Sequence, residues 1–216
     1  MGGHVPKQFL MLGGLPILVH SLLALEAAPC VEAVILSVPE ADREFCLREI
    51  VTPYGLKKVT KVVAGGAQRQ DSVRHGLAAV GEETEVVLVH DAVRPFVTPD
   101  MVQRVVEAAA KHGAAVVAIP MRDTVKQVGA DGLIERTVDR GHLWLAQTPQ
   151  AFRLARFQEA HRKAALDGFH GTDDVQLVER LGYPVAVVEG SGDNIKITRP
   201  EDLAIGEAIL AARQKV

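Results

Sequence analysis

The hydrophobic pattern of the chain switches repeatedly between short continuous apolar runs and longer stretches with helical periodicity. Val86–Val89 is a run of four apolar residues, three of them β-branched, which is typical of a strand buried on both faces of a parallel sheet. Similar runs predict strands at 31–38, 59–64, 86–89, 114–119 and 185–188. Apolar residues spaced by three or four predict helices at 15–28, 39–51, 73–80, 99–106, 152–160, 175–181 and 200–212.

This alternation of strands and helices predicts an α/β fold, a Rossmann-like domain with a mostly parallel central sheet. A length of 216 residues fits one domain covering 1–216. The net charge of -3 argues against a general nucleic-acid binder. Cys30 and Cys46 lack metal-ligand spacing, and no apolar run is long enough for a membrane helix. We therefore expect a soluble cytoplasmic protein that binds neither nucleic acid nor membrane.

The segment 121–145 breaks the alternation. Its polar and apolar residues alternate on both sides of a Gly129–Gly132 turn, which predicts a two-stranded β-ribbon that protrudes as an arm. An isolated hairpin is marginally stable in water, so we expect this arm to pack on a second subunit. The arm is rich in groups that suit a phosphate, namely Arg122, Thr124, Lys126, Thr137 and Arg140. The alternative is a charged hairpin exposed to solvent.

Polar residues follow the apolar runs where the predicted strands end. His90, Asp91 and Arg94 come directly after 86–89, at the edge of an α/β sheet where ligands collect. A loop ion pair or a turn cap is the alternative interpretation. Gly65 and Gly66 follow the strand at 59–64 and would allow close approach of a ligand, although ordinary turns use the same residues.

Three further polar residues are candidates for binding anions. Ser72 lies near the start of a predicted helix, where a hydroxyl and backbone amides can hold phosphate or ribose oxygens. Lys7 follows a proline, and by itself would more often be a solvated surface lysine. Lys196 stands between two isoleucines in a predicted alternating strand, which would present its ammonium on the opposite face.

The order of short motifs is more specific than any one of them. Eight strings occur in sequence: PKQF at 6–9, AGG with R-x-DSV at 64–73, VLVHDAVRPF at 87–96, MRDTVK at 121–126, TVDR at 137–140, QTPQ at 147–150, TDD at 172–174 and VEGSGDNIKITRPEDL at 188–203. Together they closely resemble the 2-C-methyl-D-erythritol 4-phosphate cytidylyltransferase family, along the chain from residue 2 to the last helix.

The resemblance implies transfer of CMP from CTP to 2-C-methyl-D-erythritol 4-phosphate with release of pyrophosphate, in a homodimer that uses Mg²⁺ or another divalent cation. The attacking group would be the phosphate of the acceptor, so His90 is not assigned a catalytic role. The implied catalytic residues are Lys7, Arg140 and Lys196. The implied substrate-binding residues are Gly65, Gly66, Ser72, Asp91, Arg94, Thr124 and Thr148, with Asp91 also a candidate metal ligand.

The family also begins with a strand and a glycine-rich loop before the PKQ motif. By this comparison Gly2 and Gly3 correspond to the end of that loop, so the first strand is expected to be missing from the printed sequence. Two alternatives stay open. One is a cytidylyltransferase acting on ribitol 5-phosphate, which resembles this family along most of its length. The other is a nucleotide-binding protein without catalysis.

Overall fold

The computed structural model describes residues 6–213, so Gly2 and Gly3 lie outside the described residues. A 3₁₀ turn at Lys7–Phe9 opens the described chain. The strands are β1 (Met11–Leu12), β2 (Leu15–Pro16), β3 (Val34–Val38), β4 (Val59–Ala64), β5 (Val86–Val89), β6 (Ala114–Pro120), β7 (Val125–Val128), β8 (Ile134–Val138), β9 (Trp144–Arg153) and β10 (Ala186–Glu189). The helices are α1 (Ile17–Ala27), α2 (Arg43–Phe45), α3 (Arg69–Ala78), α4 (Pro99–His112), α5 (Leu154–Leu166), α6 (Asp174–Glu179) and α7 (Pro200–Arg213).

The largest sheet has the strand order β10-β6-β9-β5. β10 runs parallel to β6, while β9 runs antiparallel to both β6 and β5. β5, β6 and β10 therefore share one direction, and β3 and β4 form a separate parallel pair. The predicted α/β fold with mostly parallel strands is confirmed, with β9 as the antiparallel member.

The sequence pattern did not reveal β9. The prediction placed a helix over 152–160, whereas residues 144–153 are a strand and α5 begins at Leu154. Two buried glutamines explain the difference, because they interrupt the apolar pattern of the strand. Gln147 hydrogen bonds to Ser191 O, and Gln150 hydrogen bonds to Asp173 and to the backbone N–H of Val175. Buried amides are tolerated when they are paired in this way.

Two other segments differ from their predicted regular structure. The predicted helix over 39–51 is a 3₁₀ turn at Glu40–Asp42, one α-turn at α2 and a π-helical turn at Cys46–Val51. The predicted strand around Lys196 is irregular, yet the alternation holds. Ile197 is fully buried and donates its N–H to Val93 O at 2.9 Å, while Lys196 turns towards Asp91.

The predicted arm is present as the β7–β8 hairpin. Its register pairs Val125 with Val138, and Gly132 adopts a left-handed φ of 80° in the connecting turn. Hydrophobic side chains along the arm and at its base are exposed: Val128, Leu133, Ile134, Trp144 and Leu145. Such a patch is uncommon on a surface that faces only water.

Helix α4 fixes the loop that follows β5. Thr98 is the N-cap, and its side chain accepts a hydrogen bond from the Met101 N–H at 3.2 Å. Pro99 occupies the first turn, and Gly113 ends the helix with a left-handed φ of 101°. The helix buries Val102 and Val105, so the loop at residues 90–97 is held between a strand and a well-packed helix.

A gap in the sheet layer separates β3 from β5. Within residues 6–213, β3 pairs with β4 and β5 pairs with β9, and the other edge of each strand has no partner strand. A cavity of about 810 Å³ lies between these edges, lined by Val34–Ser37 on one side and Val86–Val89 on the other. Among the same residues, no helix combines the length and the apolar character that a membrane span requires.

Candidate active site

Asp91 is the centre of a cluster of charged side chains beyond the carboxyl end of β5. Its Oδ1 lies 3.0 Å from Arg69 Nε, and its Oδ2 lies 2.8 Å from Lys196 Nζ and 4.0 Å from Arg94 Nε. Burial alone would raise the pKa of Asp91, but Arg69 and Lys196 outweigh it and lower the pKa to about 2. The carboxylate is therefore ionised at every physiological pH.

Thr148 holds the backbone of the site loop. Its Oγ1 accepts a hydrogen bond from the Asp91 N–H at 3.0 Å and lies 3.1 Å from His90 Nδ1. His90 Nε2 in turn lies 3.1 Å from Arg94 O. A carbonyl only accepts, so Nε2 carries the ring proton and the threonine hydroxyl donates to Nδ1. Burial lowers the pKa of His90 to about 4, so the ring is neutral near pH 7.

A bulge in β9 places Thr148 in this position. Val116 pairs with Gln150 and Ala118 pairs with Ala146, so residues 147–149 of β9 face Val117 alone. Bulges redirect side chains next to functional sites, and here the extra residues direct Thr148 towards the β5 loop. The Thr148–Pro149 peptide bond within the bulge is cis. The sequence string QTPQ therefore lies at a bulge inside a strand, where sequence analysis predicted only the helix that follows.

Arg94 is held by the segment that carries Lys196. Its Nη1 donates to Asn194 O at 2.8 Å. Asn194 is fully buried and donates from Nδ2 to Thr148 O at 3.0 Å and to Gln147 Oε1 at 3.1 Å. This network joins the loop after β5, the bulge of β9 and the segment before α7, and it holds Arg94 and Lys196 near the same oxygen of Asp91, Oδ2.

Arg69 joins the cluster to a second, buried carboxylate. Its Nη1 lies 2.6 Å from Asp174 Oδ2, and the Asp174 side chain is only 1% exposed. Burial raises the pKa of Asp174 although Arg69 opposes that effect. Sequence analysis assigned no role to Arg69 or Asp174. Both stood within the quoted motifs, but nothing in their local pattern indicated that one arginine would contact two carboxylates from distant elements.

The two glycines after β4 form a tight loop on the start of α3. Gly66 donates its N–H to Ser72 Oγ at 3.0 Å, and Gly65 donates to Val38 O at 2.7 Å. A Cβ at Gly66 would lie 2.2 Å from Asp71 Cβ, and one at Gly65 would lie 2.8 Å from Ser72 Oγ. A side chain at Gly66 would overlap Asp71, and one at Gly65 would displace the Ser72 hydroxyl, so both glycines keep this loop close to the start of α3.

Three predicted residues lie apart from the cluster within the described chain. Lys7 is exposed on the opening 3₁₀ turn, although Phe9 from the same turn packs on the core cluster that contains Leu36 and Val38 of β3. Thr124 and Arg140 are exposed at the base of the arm, and Arg140 contacts Arg122 O. The structure thus brings Asp91, Arg94, Thr148 and Lys196 together, with Gly65, Gly66 and Ser72 beside them.

The donor groups fit a magnesium ion only in combination with a substrate. Among residues 6–213 there is no group of three or more His, Cys, Asp or Glu side chains that could hold a metal ion. Mg²⁺ is commonly bound by one or two carboxylates plus substrate phosphates and water. Asp91 offers one ionised carboxylate whose oxygens have lone pairs beyond those used by Arg69 and Lys196, so it fits as such a ligand.

Comparisons with known proteins agree with the sequence motifs. A family model described as 2-C-methyl-D-erythritol 4-phosphate cytidylyltransferase matches residues 1–212. A protein of that name from Syntrophus aciditrophicus is 53% identical over 205 residues, which cover 95% of this chain and 88% of the relative. Another from Pelotomaculum thermopropionicum is 48% identical over 214 residues, covering 99% of this chain and 90% of the relative.

Solved structures of similar proteins share the fold. The crystal structure of 4-diphosphocytidyl-2C-methyl-D-erythritol synthase from Anaerococcus prevotii aligns with a TM-score of 0.88 at 30% identity, covering 97% of this chain and 92% of that one. The 2-C-methyl-D-erythritol 4-phosphate cytidylyltransferase from Thermus thermophilus aligns with a TM-score of 0.80 at 41% identity, covering 95% and 94%. The resemblance predicted from the motifs is therefore confirmed along nearly the whole chain.

Proposed function

Since the chain belongs to the 2-C-methyl-D-erythritol 4-phosphate cytidylyltransferase family, its reaction joins CTP to 2-C-methyl-D-erythritol 4-phosphate, and we propose that the Asp91 cluster is where the two substrates meet. The observation that carries this assignment is the convergence of Arg69, Arg94 and Lys196 on one carboxylate at the carboxyl edge of the strands. Three cations, set against the carboxylates of Asp91 and Asp174, leave an excess of positive charge for phosphate groups.

The chemistry needs positioning of anions more than it needs a base. A phosphate oxygen of the acceptor attacks the α-phosphorus of CTP, a new P–O–P bond forms, and pyrophosphate leaves with the electron pair of the broken bond. With a second pKa near ~6, the attacking phosphate is already largely dianionic at neutral pH. His90 is buried, neutral and hydrogen-bonded at both ring nitrogens, which suits a structural role.

Lys196 is the group best placed to serve the acceptor. Its ammonium lies on Asp91 at 2.8 Å, so its position is fixed before substrate arrives. Preorganised charges stabilise a transition state because they need no reorganisation during the reaction. We assign Lys196 and Arg94 to the acceptor side, with the free lone pairs of Asp91 accepting hydrogen bonds from substrate hydroxyls. Lys7 is assigned to the α-phosphate, on the side of the site where Phe9 packs.

The glycine loop is assigned to the nucleotide. Gly65 and Gly66 present backbone without Cβ atoms, and Ser72 Oγ fixes the Gly66 amide at 3.0 Å. This arrangement suits a flat base and a ribose that approach the loop edge-on. A divalent cation such as Mg²⁺, held by Asp91 and the phosphates, would supply further charge neutralisation when bound.

The arm is assigned to dimerisation. Its exposed hydrophobic residues would be covered by a second copy, and Thr124 and Arg140 would then reach the partner's acceptor site. This accounts for their distance from the Asp91 cluster within one chain. On this proposal residues 1–216 are one nucleotidyltransferase domain that works in the cytoplasm as a homodimer, without nucleic acid or membrane.

Pyrophosphate release in the presence of CTP tests the proposal. We expect release with 2-C-methyl-D-erythritol 4-phosphate and none above background with ribitol 5-phosphate. Lys196→Met should lower kcat/KM at least tenfold. Lys163→Met is the matched control, because Lys163 forms an ion pair with Asp167 on the remote helix α5. Preference for ribitol 5-phosphate, CTP binding without turnover, or equal activity of the two variants would contradict the assignment.

A further inference from the structure

The segment at residues 190–197, which carries Lys196, is an irregular loop between β10 and α7. Its two ends are tied to the sheet side of the site. The N–H of Gly190 is hydrogen-bonded to β6 at 2.8 Å, and the N–H of Ile197 is hydrogen-bonded to the loop after β5 at 2.9 Å. The residues between these ends belong to no ladder, so their position depends on side-chain contacts.

Gln147, from the bulge of β9, contacts the middle of this segment. Its side chain is buried, its Nε2 donates to Ser191 O at 3.0 Å, and its Oε1 accepts from Asn194 Nδ2 at 3.1 Å. Ser191 O also accepts from the Asn194 N–H at 3.1 Å, so both lone pairs of this carbonyl are used. One amide group therefore bridges the two sides of the turn formed by Ser191 and Asn194.

Gly190 leaves the space that this amide occupies. A Cβ at Gly190 would lie 2.6 Å from Gln147 Oε1 and 2.6 Å from Val117 Cγ1. The glycine therefore allows the amide to pack directly against the backbone of the segment. This close approach brings Gln147 within hydrogen-bonding distance of both sides of the turn.

The turn that Gln147 bridges holds two cations of the site. Asn194 O accepts a hydrogen bond from Arg94 Nη1 at 2.8 Å, and Lys196 follows Asn194 by two residues. Lys196 Nζ lies 2.8 Å from Asp91 Oδ2, and its side chain is 38% exposed. Lysine has a flexible four-carbon stem, so the position of its backbone decides where the ammonium group can reach.

The glycine loop assigned to the nucleotide is anchored by different residues. Ser72 on α3 accepts a hydrogen bond from the Gly66 N–H at 3.0 Å, and Gly65 donates to β3. The side-chain hydrogen bonds of Gln147 go to the segment at 190–197 instead. A change at Gln147 should therefore affect the acceptor more than CTP.

We propose that Gln147 is a positioning residue for the acceptor substrate, because its amide fixes the turn at residues 191–194 and thereby the places of Lys196 and Arg94 beside Asp91. This inference rests on the proposed assignment of Lys196 and Arg94 to the acceptor side. A displacement of about 1 Å in a group that orients a substrate can lower a rate roughly a hundredfold. Gln147 thus acts on the reaction through the two cations.

Steady-state pyrophosphate release, with each substrate varied in turn, tests the proposal. Gln147→Met keeps the length of the side chain and removes both hydrogen bonds. We expect kcat/KM for 2-C-methyl-D-erythritol 4-phosphate to fall at least tenfold, while KM for CTP stays within about twofold of the parent. Gln147→Asn, whose amide is one methylene shorter, should show the same selectivity and carries the test if the methionine variant does not fold. Ile50→Val is the control, because it shortens a buried side chain in a separate core cluster and should lower stability without changing kcat/KM.

A double-variant cycle separates positioning from a general loss of structure. If Gln147 acts through the turn that carries Lys196, then Gln147→Met added to Lys196→Met should lower kcat/KM by no more than about threefold, the part that passes through Arg94. Equal losses in the two backgrounds, or equal increases in both KM values, would refute the proposal. Parental kinetics of Gln147→Met beside an impaired Lys196→Met would overturn this inference alone. Parental kinetics of Lys196→Met would overturn the proposed role of Lys196 together with it.

Discussion

Replacing Arg69 by methionine tests the link between the cluster and the protein interior. The substitution leaves Asp174, which is 1% exposed, as a carboxylate without its counter-ion. Breaking a buried ion pair from one side costs roughly 3–5 kcal/mol. Arg69 is itself 38% exposed, so water already screens part of the interaction. We therefore expect the low end, about 3 kcal/mol of unfolding free energy at pH 8.

The loss of unfolding free energy in Arg69→Met should depend on pH in a defined direction. Burial raises the pKa of Asp174, and removal of Arg69 takes away the main opposing effect. A carboxyl whose folded-state pKa is raised binds its proton more readily when folded, so its destabilising effect grows as pH rises. The difference in unfolding free energy between the parent and Arg69→Met, measured with urea, should therefore be smaller at pH 5 than at pH 8.

The double variant Arg69→Met with Asp174→Asn separates stability from activity. It removes the buried charge, so most of the lost unfolding free energy should return. Activity should not return, because Asp91 still lacks the contact at 3.0 Å that fixes it. We expect kcat/KM at least tenfold below the parent in both variants, about 1.4 kcal/mol. Recovery of full activity in the double variant would refute a positioning role for Arg69, and unchanged stability of the single variant would refute the buried-pair argument.

Three further predictions concern His161, the arm and His90. His161 is buried, its ring nitrogens have no hydrogen-bond partner among residues 6–213, and burial lowers its pKa to about 4. The unfolded chain binds this proton below pH 6.5, so stability falls by about 1–2 kcal/mol between pH 6.5 and 5, because the slope approaches 1.36 kcal/mol per pH unit only below the unfolded pKa. His161→Leu should remove that loss in urea unfolding, and an unchanged pH dependence would contradict it. Arg140→Ala and Lys196→Ala should each be nearly inactive alone, while mixed dimers regain activity. If the mixed dimers stay inactive, the active site is not shared between two subunits. In His90→Asn, the fall of the reaction rate on the acid side of the pH–rate profile should stay near pH ~6, where the substrate phosphate titrates. A shift of this fall to another pH in the variant would mean that His90 takes part in the reaction.

The sequence predicted those parts of the molecule whose structure depends on residues close together in the chain. The run at Val86–Val89 and the capping residues Thr98 and Pro99 define a strand and a helix without reference to the rest of the chain. The arm is equally local, because its alternation and its glycine turn lie within one segment. Asp91 and Arg94 follow the central strand directly, so their place at the sheet edge could also be predicted.

Features that depend on distant contacts could not be predicted in this way. β9 contains Gln147 and Gln150, whose burial depends on partners more than twenty residues away. Arg69 contacts Asp91 and Asp174, which are 22 and 105 residues further along the chain. No periodicity marks such pairs. The motifs indicated that these residues belong to one family pattern, whereas the structure shows which of their atoms are in contact.

The bulge of β9 has a mechanical consequence. Residues 144–146 form one ladder with β6 near the arm, and residues 150–152 form another within the core, so the bulge at 147–149 separates two stiff segments of one strand. We expect a force applied to the arm to pass along the first segment and to reach residues 147–149, which lie between the two ladders, before it reaches the second segment. Thr148 lies in that stretch and accepts a hydrogen bond from the Asp91 N–H. Traction on the arm would therefore displace the Asp91 loop while the hydrophobic core stays in place.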